Sequence, residues 1–371
     1  MSFTFFIMSN LLRQKVRTGL TVLGISIGIT TVVALGIFVN SLKASTEELI
    51  LAGGADFAVA EAGVADLTFS TLTTDDLALL EAYDEVEYVS GVELAISKVG
   101  ANSFFFQFGV DPSDLSFFEA PLVDGRRLAG GAADEIMLGD RAAGQLGAEI
   151  GDSVEIRDLT FTVVGIYDTR TTALDGGAIL PLATVQEYDS REGLVTLAYI
   201  HARKGADVAA LTHRIEAEHP GLATLAGLED IGAVDQSIQM LDAVNLGIMV
   251  LAVFIGGIAV MNTMVMAVFE RTREFGILRA LGWRTRRILQ MVLGEALMLC
   301  LIASVFGSIL AVALTQMIVL FPTVSAFITP QYTLDVFLRG LAVGIGVALL
   351  GAIYPAYRAA RLSPAQAIRY E

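Results

Sequence analysis

The histidines and acidic residues are the first side chains to test for metal binding or acid–base chemistry. The chain has three histidines, and two of them, His213 and His219, are six positions apart. That separation does not match the H-x-x-x-H spacing of a zinc site. Acidic pairs such as Asp75-Asp76 belong to a total of 40 Asp and Glu, so none stands out as catalytic. Residues 43–242 contain no G-x-S-x-G nucleophile motif. The sequence therefore predicts no catalytic, metal or cofactor site.

ATP hydrolysis is a second chemistry that the sequence can be tested for. A P-loop needs a lysine directly after a glycine, because that lysine reaches the phosphates of the nucleotide. The chain has four lysines and none follows a glycine; they are Lys15, Lys43, Lys98 and Lys204. We therefore expect no ATP hydrolysis by this chain, and any ATPase that works with it is expected to be a separate polypeptide.

A basic segment at residues 270–287, ERTREFGILRALGWRTRR, carries six of the 24 Lys and Arg residues. An arginine at the centre of a bilayer costs at least ~2.5 kcal/mol, so this segment is expected to lie outside the lipid. Phe275, Ile277, Leu278 and Leu281 fall at roughly helical spacing, which predicts an amphipathic helix with one apolar face. We interpret the segment as a docking element. The alternative is a helix at the membrane surface whose arginines bind anionic lipid headgroups.

Long apolar runs on both sides of this segment indicate an integral membrane protein. The mean hydropathy is +0.64, and only 17% of the residues are charged. A helix needs roughly 20 residues to cross about 30 Å of hydrocarbon. Four runs are long enough, and we place the spans at residues 18–42, 243–269, 288–318 and 339–357. The first run is longer than the ~7–15-residue apolar core of a signal peptide, so we expect it to be a retained span.

Charge predicts the orientation of these spans. Between Ser41 and Met240 the chain has 11 basic and 34 acidic residues, a net charge of −23, whereas the remainder has a net charge of +7. Basic residues next to spans favour the cytoplasmic side. Three segments are therefore predicted to be cytoplasmic: residues 1–17, 270–287 and 358–371. Two segments are predicted to be extracytoplasmic: residues 43–242 and 319–338. The protein is thus expected in the cell membrane, with both termini in the cytoplasm.

Residues 43–242 are expected to form a mixed α+β domain. Short β-prone runs, separated by Gly, Asp and Pro, occur at residues 57–60, 86–89, 104–110, 154–156, 160–166, 179–180 and 197–200. Helices are expected at residues 75–83 and 208–218. Poor alternation around Phe104, Phe105, Phe106 and Phe108 predicts a strand that is buried on both faces. Cys300 is the one cysteine, so this domain must depend on its hydrophobic core and not on a disulfide within the chain.

Several stretches of the sequence, in order along nearly the whole chain, carry a family resemblance. The membrane part contributes NLLRQKVRTGLTVLGISIGITTVVAL (10–35), MNTMVMAVFERTREFGILRALGWRTRRILQMVLGEALML (261–299) and GAIYPAYRAARLSPAQAIRYE (351–371). The middle of the chain contributes FGVDP (108–112), DGRRL (124–128), IMLGDRAAGQLGAEIGDSVEI (136–156), FTVVGIYD (161–168) and AILPLATVQ (178–186). Together these stretches resemble the MacB/FtsX-like permeases of ATP-binding cassette (ABC) transporters.

The resemblance implies a fold and a set of partners. The expected fold is an α-helical membrane protein with four transmembrane helices and a mixed α+β extracytoplasmic domain, MacB-like, inserted between helices 1 and 2. Two permease subunits are expected to pair, as a homodimer or with a paralogue, with cytoplasmic ATPase subunits docked beneath them. The loop after span two is expected to be a coupling helix seated in a cleft of the ATPase. Its expected contacts are Glu270, Arg271, Arg273, Glu274, Phe275, Ile277, Arg279, Leu281 and Gly282. No nucleic-acid partner is expected.

Three residues within the spans are further candidates. Glu295 lies inside the third span, and a carboxylate there is a functional candidate by default. We favour an ion pair near the membrane surface with an arginine such as Arg287 or Arg358 over a substrate or proton role. Gly24 and Gly28 suit a first span that packs closely on another helix. The alternative for these two is that glycine is simply common in membrane helices.

The function implied by the resemblance is mechanical. The chain is expected to be a permease subunit that transmits ATP-driven motion of the ATPase to the extracytoplasmic domain, for export or extraction of a substrate or lipoprotein at the outer face of the membrane. One alternative is a conventional exporter that conducts substrate between its spans, which would need a polar path. Another is a membrane-anchored receptor or regulator of an extracellular partner, which would need no ATPase.

Overall fold

The computed structural model describes residues 15–64, 66–100, 102–116, 118, 120–226, 236–321, 324 and 329–361. Most of the segment 1–17 and of the tail 358–371 lies outside the described residues. The chain divides into two compact units. We call them the membrane unit, which extends to Phe38, from Asp242 to Gln316 and again from Tyr332, and the sheet unit, which comprises Val39–Leu241 and Met317–Gln331.

The elements follow one another in this order: α1 (Lys15–Ile50), β1 (Phe57–Glu61), β2 (Leu72–Thr73), α2 (Thr74–Glu81), β3 (Val86–Val99), β4 (Asn102–Val110), β5 (Leu122–Gly125), β6 (Glu135–Gly139), α3 (Asp140–Leu146), β7 (Ser153–Ile156), β8 (Leu159–Tyr167), α4 (Thr172–Asp175), β9 (Ala178–Pro181), α5 (Leu182–Asp189), β10 (Leu194–Val195), β11 (Leu197–Ala202), α6 (Val208–Glu218) and β12 (Leu222–Leu225). The remaining helices are α7 (Gln236–Glu270), α8 (Thr272–Ala280), α9 (Thr285–Val319) and α10 (Leu334–Ala360).

The sheet unit is built on one mixed sheet. Within the described ranges this sheet has ten strands in the order β12-β1-β11-β3-β4-β9-β6-β8-β5, with β7 paired to β8. β4 runs parallel to β9 and β6 runs parallel to β8, whereas the other pairs are antiparallel. β2 and β10 form a separate two-stranded ribbon. The prediction of a mixed α+β domain between the first and second spans is therefore confirmed.

The β3–β4 hairpin corrects one sequence-based prediction. Phe105 and Phe108 are buried on opposite faces of β4, in separate clusters of the core. Phe104, Phe106 and Phe108 share a face, because side chains alternate along a strand. On that face the exposure of the side chains increases from Phe108, which is buried, to Phe104, which is half exposed near the end of the hairpin. The prediction that this strand is buried on both faces is therefore wrong at Phe104.

A buried ion pair fixes a turn of the sheet unit. The Glu93 side chain on β3 is fully buried, and the Arg191 Nε lies 3.1 Å from its Oε1. The same guanidinium donates a hydrogen bond of 2.6 Å to the carbonyl of Ser70, and Thr196 Oγ1 donates one of 3.1 Å to Glu93 Oε2. Burial raises the pKa of the Glu93 carboxyl, although Arg191 lowers it in part. Arg191 thus both neutralises a buried acid and holds the turn that carries the exposed Phe69.

Among the described residues, four helices are long and apolar enough to cross a bilayer: Lys15–Ile50, Met240–Glu270, Thr285–Val319 and Leu334–Ala360. This confirms the prediction of a multi-pass membrane protein. Glycines on α10 allow it to pack closely on each of the others. Gly340 faces Val33 of α1, Gly344 faces Ser304 of α9, and a Cβ at Gly351 would lie 2.6 Å from the Cβ of Val260 on α7.

Small and hydroxylated residues also join α1 to α9. Ser26 Oγ donates a hydrogen bond of 3.1 Å to the carbonyl of Ala303, and Thr30 Oγ1 donates one of 3.0 Å to that of Gly307. The glycines chosen from the sequence are less closely packed. A Cβ at Gly28 would lie 3.7 Å from the Cβ of Ala252, an ordinary contact, whereas Gly24 is exposed and a Cβ there would meet no atom within 4 Å.

We predict that Gly351→Ala destabilises the membrane unit, because the added methyl group overlaps Val260 and the backbone carbonyl of Gly257. Overpacking of this kind costs about 1–3 kcal/mol. Thermal unfolding of the purified full chain in detergent measures the loss. Gly24→Ala is the matched control and should unfold at or above the wild-type temperature, since Ala favours helix and the position is open. Equal unfolding temperatures for the two variants would contradict this account of the packing.

We predict that Arg191→Met destabilises the sheet unit by about 3–5 kcal/mol, because it leaves Glu93 buried without its cation. The loss should depend on pH. A buried acid with a raised pKa is neutral in the folded state at low pH, and its contribution to stability falls as pH rises. The difference from wild type should therefore be smaller at about pH 5 than at about pH 8. Denaturant unfolding at both pH values measures it, with the exposed Lys204→Met as control. A difference that is independent of pH refutes the assigned role of Glu93.

Candidate functional site

The segment between α7 and α9 forms a short helix with defined ends. α7 ends at Glu270, and Arg271, with φ −106° and ψ 12°, separates it from α8. At the other end, Gly282 N donates to the Arg279 carbonyl and Trp283 N donates to the Leu278 carbonyl. This pair of bonds is a Schellman motif, which needs a left-handed residue, and Gly282 has φ +87°. We call residues 270–283 the α8 segment.

The expected apolar stripe of the α8 segment divides between two faces. Phe275 is 1% exposed, and Leu278 packs with it against the hydrophobic core of the membrane unit. Ile277 and Leu281 are 46% and 75% exposed. Arg273 is exposed too, and positions 273, 277 and 281 lie four residues apart, so these side chains share one face. The α8 segment is therefore held by one face and presents a small apolar and basic surface on the other.

Arg271 lies at the break between the helices and turns toward α9. Its Nη1 is 2.8 Å and 3.0 Å from the two carboxylate oxygens of Glu295, and its Nε is 3.1 Å from Glu274 Oε2. The guanidinium carbon also lies 5.1 Å from the centre of the Phe275 ring. The side chains of Arg271 and Glu295 are only 14% and 6% exposed. Arg271 thus contacts the inside of the membrane unit, whereas the sequence suggested a contact with a partner.

This ion pair corrects the partner that we expected for Glu295. Arg287 lies on the same helix eight positions earlier, which is about 12 Å along the helix axis. It is exposed, and the carboxylate is paired with Arg271 instead. Arg358 instead places its guanidinium 4.4 Å from the centre of the Phe269 ring on α7. A residue from the helix break reaches Glu295 because the break turns its side chain into the bundle.

Two other expected contacts also hold the segment in place. Glu270 accepts a hydrogen bond of 2.9 Å from Arg17 Nη1 on α1, within an ion pair. Arg279 Nη1 donates a hydrogen bond of 2.7 Å to Thr285 Oγ1, the first residue of α9. Sequence reasoning missed Arg17 as a partner of this segment. The excess of basic residues at the ends of the spans was the one signal for it.

The structure thus sorts the expected contacts into two sets. The exposed set comprises Arg273, Ile277, Leu281 and Gly282. The set that is buried or engaged within the membrane unit comprises Glu270, Arg271, Phe275, Arg279 and also Glu274, which is exposed but paired with Arg271. Three more exposed arginines follow in the sequence, at position 284 just before α9 and at positions 286 and 287 in its first turn. Only the first set can be offered to another protein without rearrangement of the segment.

Catalytic chemistry finds no support elsewhere in the described part of the chain. Among those residues, no group of three or more His, Cys, Asp or Glu side chains could hold a metal ion. The pattern G-x-S-x-G does occur at residues 24–28, within the first span. Ser26 lies there in the middle of α1, whereas a nucleophilic serine of this motif stands on a strand-to-helix turn. Its hydrogen bond to Ala303 assigns it to helix packing.

Two family models match this chain. A family model for the MacB-like periplasmic core domain matches residues 18–218. A second family model, for the FtsX-like permease C-terminal region, matches residues 246–364.

Individual relatives are similar over most of this chain. The pyoverdine export ATP-binding/permease protein PvdT of Pseudomonas entomophila is 27% identical over 384 aligned positions, which cover 96% of this chain and 58% of that protein. The macrolide export ATP-binding/permease protein MacB of Bdellovibrio bacteriovorus is 26% identical over 397 positions, which cover 96% of this chain and 60% of that protein. The chain therefore spans less than two thirds of the length of these relatives.

Solved structures of domains are similar as well. The periplasmic region of MacB from Actinobacillus actinomycetemcomitans matches with a TM-score of 0.38 at 14% identity, covering 53% of this chain and 98% of that one. The extracellular domain of the ABC-type transporter YknZ from Gram-positive bacteria matches with a TM-score of 0.35 at 10% identity, covering 46% of this chain and 98% of that one. Because the first family model alone matches more than half of the 371 residues, the chain belongs to the family of FtsX-like permeases with a MacB-like periplasmic core domain.

Proposed function

We propose that this chain is the permease subunit of an ABC transporter that transmits motion from a cytoplasmic ATPase to its sheet unit, on the other side of the membrane. The ATPase is not contained in these 371 residues, since none of the lysines has a P-loop context. The observation that carries the proposal is the α8 segment, whose inner face is fixed to the membrane unit and whose outer face exposes Ile277 and Leu281.

The exposed face has the chemistry of a helix that fits into a groove. Two apolar side chains four residues apart are typical anchors of such a helix. Arginines surround them, and those at positions 273, 284, 286 and 287 have no carboxylate partner among the described residues. The matching cleft on the ATPase should therefore be apolar at its centre and acidic at its rim. Binding in this mode would bury the aliphatic anchors and satisfy the guanidinium groups at once.

Motion transmission is favoured over conduction of substrate between the spans. Polar side chains of the described spans mostly bond to one another or to backbone carbonyls. Thr21 Oγ1 lies 3.1 Å from Thr263 Oγ1, Gln316 donates to Tyr332 Oη at 2.8 Å, and Glu295 is paired with Arg271. A water-lined path needs polar groups that remain available to the substrate. Two of these contacts instead connect different helices, Thr21 of α1 with Thr263 of α7 and Arg271 at the end of α7 with Glu295 of α9, as transmission of motion requires.

The proposal extends to the assembly and its orientation. We infer that two permease subunits pair in the membrane, as a homodimer or with a paralogue, and that both termini and the α8 segment are cytoplasmic. Leu20, Gly24 and Ile27 form an exposed face of α1 that would contact lipid or the second subunit. The sheet unit would then act outside the cytoplasm on an exported or extracted substrate, or on a lipoprotein. The names of the relatives, which specify export of pyoverdine and of macrolides, support export as the class of activity.

We predict that the α8 segment and the sheet unit are labelled from opposite sides of the membrane. Leu281→Cys should react with an impermeant maleimide only in inside-out vesicles, and Phe69→Cys only in right-side-out vesicles. Both positions are exposed, at 75% and 69%. The natural Cys300 is buried, so the unmodified chain serves as the unlabelled control. Labelling of both sites from one side excludes the proposed orientation and with it the transmission of motion across the membrane.

We predict that Ile277→Asp combined with Leu281→Asp abolishes coupling to the ATPase while the permease still folds. The tagged full chain would be purified from its source cells in mild detergent, and a companion with a P-loop would be identified and assayed. Each lost anchor should weaken association by on the order of tenfold, since anchors of this kind contribute more than about 1 kcal/mol each. Stimulation of ATP hydrolysis by the permease is the measurement.

Phe69→Asp is the control, because it places an aspartate at an exposed apolar position of the sheet unit. This control should stimulate hydrolysis as the wild type does. Undiminished stimulation by the double variant would refute the docking role of the α8 segment. Failure to recover any ATPase with the wild type would favour the alternative of a membrane-anchored receptor.

A further inference from the structure

A single residue interrupts the helical path from α8 to α7, the second span. Arg271 has φ −106° and ψ 12° and lies between the end of α7 and the start of α8. Residues at the ends of elements are where hinges absorb changes of backbone angle. A free hinge at this position would allow α8 to pivot while the spans stayed in place. Motion received at Ile277 and Leu281 would then be lost before it reached the membrane.

The side chain of Arg271 bridges this interruption. Its guanidinium contacts Glu295 on α9 through both carboxylate oxygens, and Glu274 on α8 through one. The Phe275 ring of α8 lies under the same group at 5.1 Å. One side chain therefore connects the break, the α8 helix and the third span. It does so in a site from which water is nearly excluded, because Glu295 is only 6% exposed.

The residues just before Arg271 contact the two remaining spans. Glu270 is paired with Arg17 of α1 at 2.9 Å, and the Phe269 ring lies 4.4 Å from the guanidinium carbon of Arg358 on α10. We call residues 269–271 the junction. Phe269, Glu270 and Arg271 thus contact α10, α1 and α9 in turn, while the chain itself connects them to α7 and α8. Displacement of the junction would act on all four spans.

Stability alone does not account for an ion pair at this place. Replacing a buried ion pair by apolar residues of similar size is often neutral or stabilising, because the charges no longer have to be desolvated. An ion pair of this geometry instead fixes position, since Nη1 of one planar guanidinium is bonded to Glu295 and its Nε to Glu274. Apolar side chains at the same positions would permit sliding. The pair is therefore suited to hold α8 in one orientation relative to α9.

We propose that Arg271 is a positioning residue: through Glu295 it locks the helix break, so that the α8 segment, α7 and α9 move as one body. The inference rests on the proposed function, because a rigid connection matters only if α8 receives motion. It assigns Arg271 no contact with the ATPase, which sets it apart from Arg273, two positions further along on the exposed face.

The test uses the double variant Arg271→Met with Glu295→Leu in the full chain, reconstituted in lipid nanodiscs. A nitroxide label at Leu281→Cys reports the mobility of α8 by electron paramagnetic resonance, and Cys300 is buried and stays unlabelled. ATPase stimulation is measured separately on chains that retain Leu281, because Leu281 is a proposed anchor. The expected result is an unfolding temperature like that of the wild type, together with a more mobile label and loss of most of the stimulation of the companion ATPase. Glu295→Gln, which preserves size and removes charge, provides the same readout should the double variant fail to fold.

The matched control removes a second ion pair of the membrane unit. Arg339 and Asp335 on α10 are paired at 2.7 Å, but both are about half exposed and belong to one helix. Arg339→Met with Asp335→Leu should change neither label mobility nor stimulation, because an exposed pair contributes little.

The two readouts separate the positioning role from the proposed function. Unchanged mobility of the label in a folded Arg271 variant overturns the positioning role, even where ATPase stimulation by the wild type proves the proposed function right. Increased mobility in that variant, combined with no stimulation of any ATPase by the wild type, supports the lock and overturns the proposed function alone.

Discussion

The buried ion pair of Arg271 and Glu295 is the contact on which the arrangement of α8 against the spans depends. Glu295 lies ten residues into α9, where an unpaired carboxylate would be costly in a membrane. Arg271 can reach it only because α7 stops one residue earlier and the backbone turns. The helix break therefore supplies a cation to a buried acid.

The sequence predicted that residues 270–287 contain a helix, but not which of its apolar residues face outward. Phe275 and Leu278 are three positions apart and share the inner face, whereas Ile277 and Leu281 are four apart and share the outer face. Spacing alone cannot separate these pairs, because both intervals suit one side of a helix. The partner of Glu295 was likewise hidden, since it depends on a backbone break. For Gly282 a signal did exist, because glycine directly after a helix commonly forms its left-handed cap.

Strands of the sheet unit were predictable where apolar residues are β-branched or aromatic. The predicted runs at 57–60, 104–110, 160–166 and 197–200 fall within β1, β4, β8 and β11. The strand predicted at 86–89 continues to Val99, because Gly91 does not end it. That glycine is instead a point of close packing, where a Cβ would lie 2.9 Å from Leu77 and 3.1 Å from Val195. The sequence did not predict short strands such as β6 and β12. A run of a few apolar residues without alternation is equally compatible with a strand and with a helix.

Close packing inside the membrane unit supports the proposal that a displacement of the junction moves every span. α10 touches α1, α9 and α7 through glycines, so these helices approach one another without large side chains between them. Closely packed surfaces of this kind shift between discrete arrangements and do not deform continuously. Such packing is what the proposed transmission needs, since a displacement of Phe269, Glu270 and Arg271 would then reach α10 without being absorbed between loosely packed side chains. The same close approach leaves no gap that a substrate could occupy beside these glycines. Rigid contact between the helices and the absence of a path at those contacts are thus two consequences of the same small side chains.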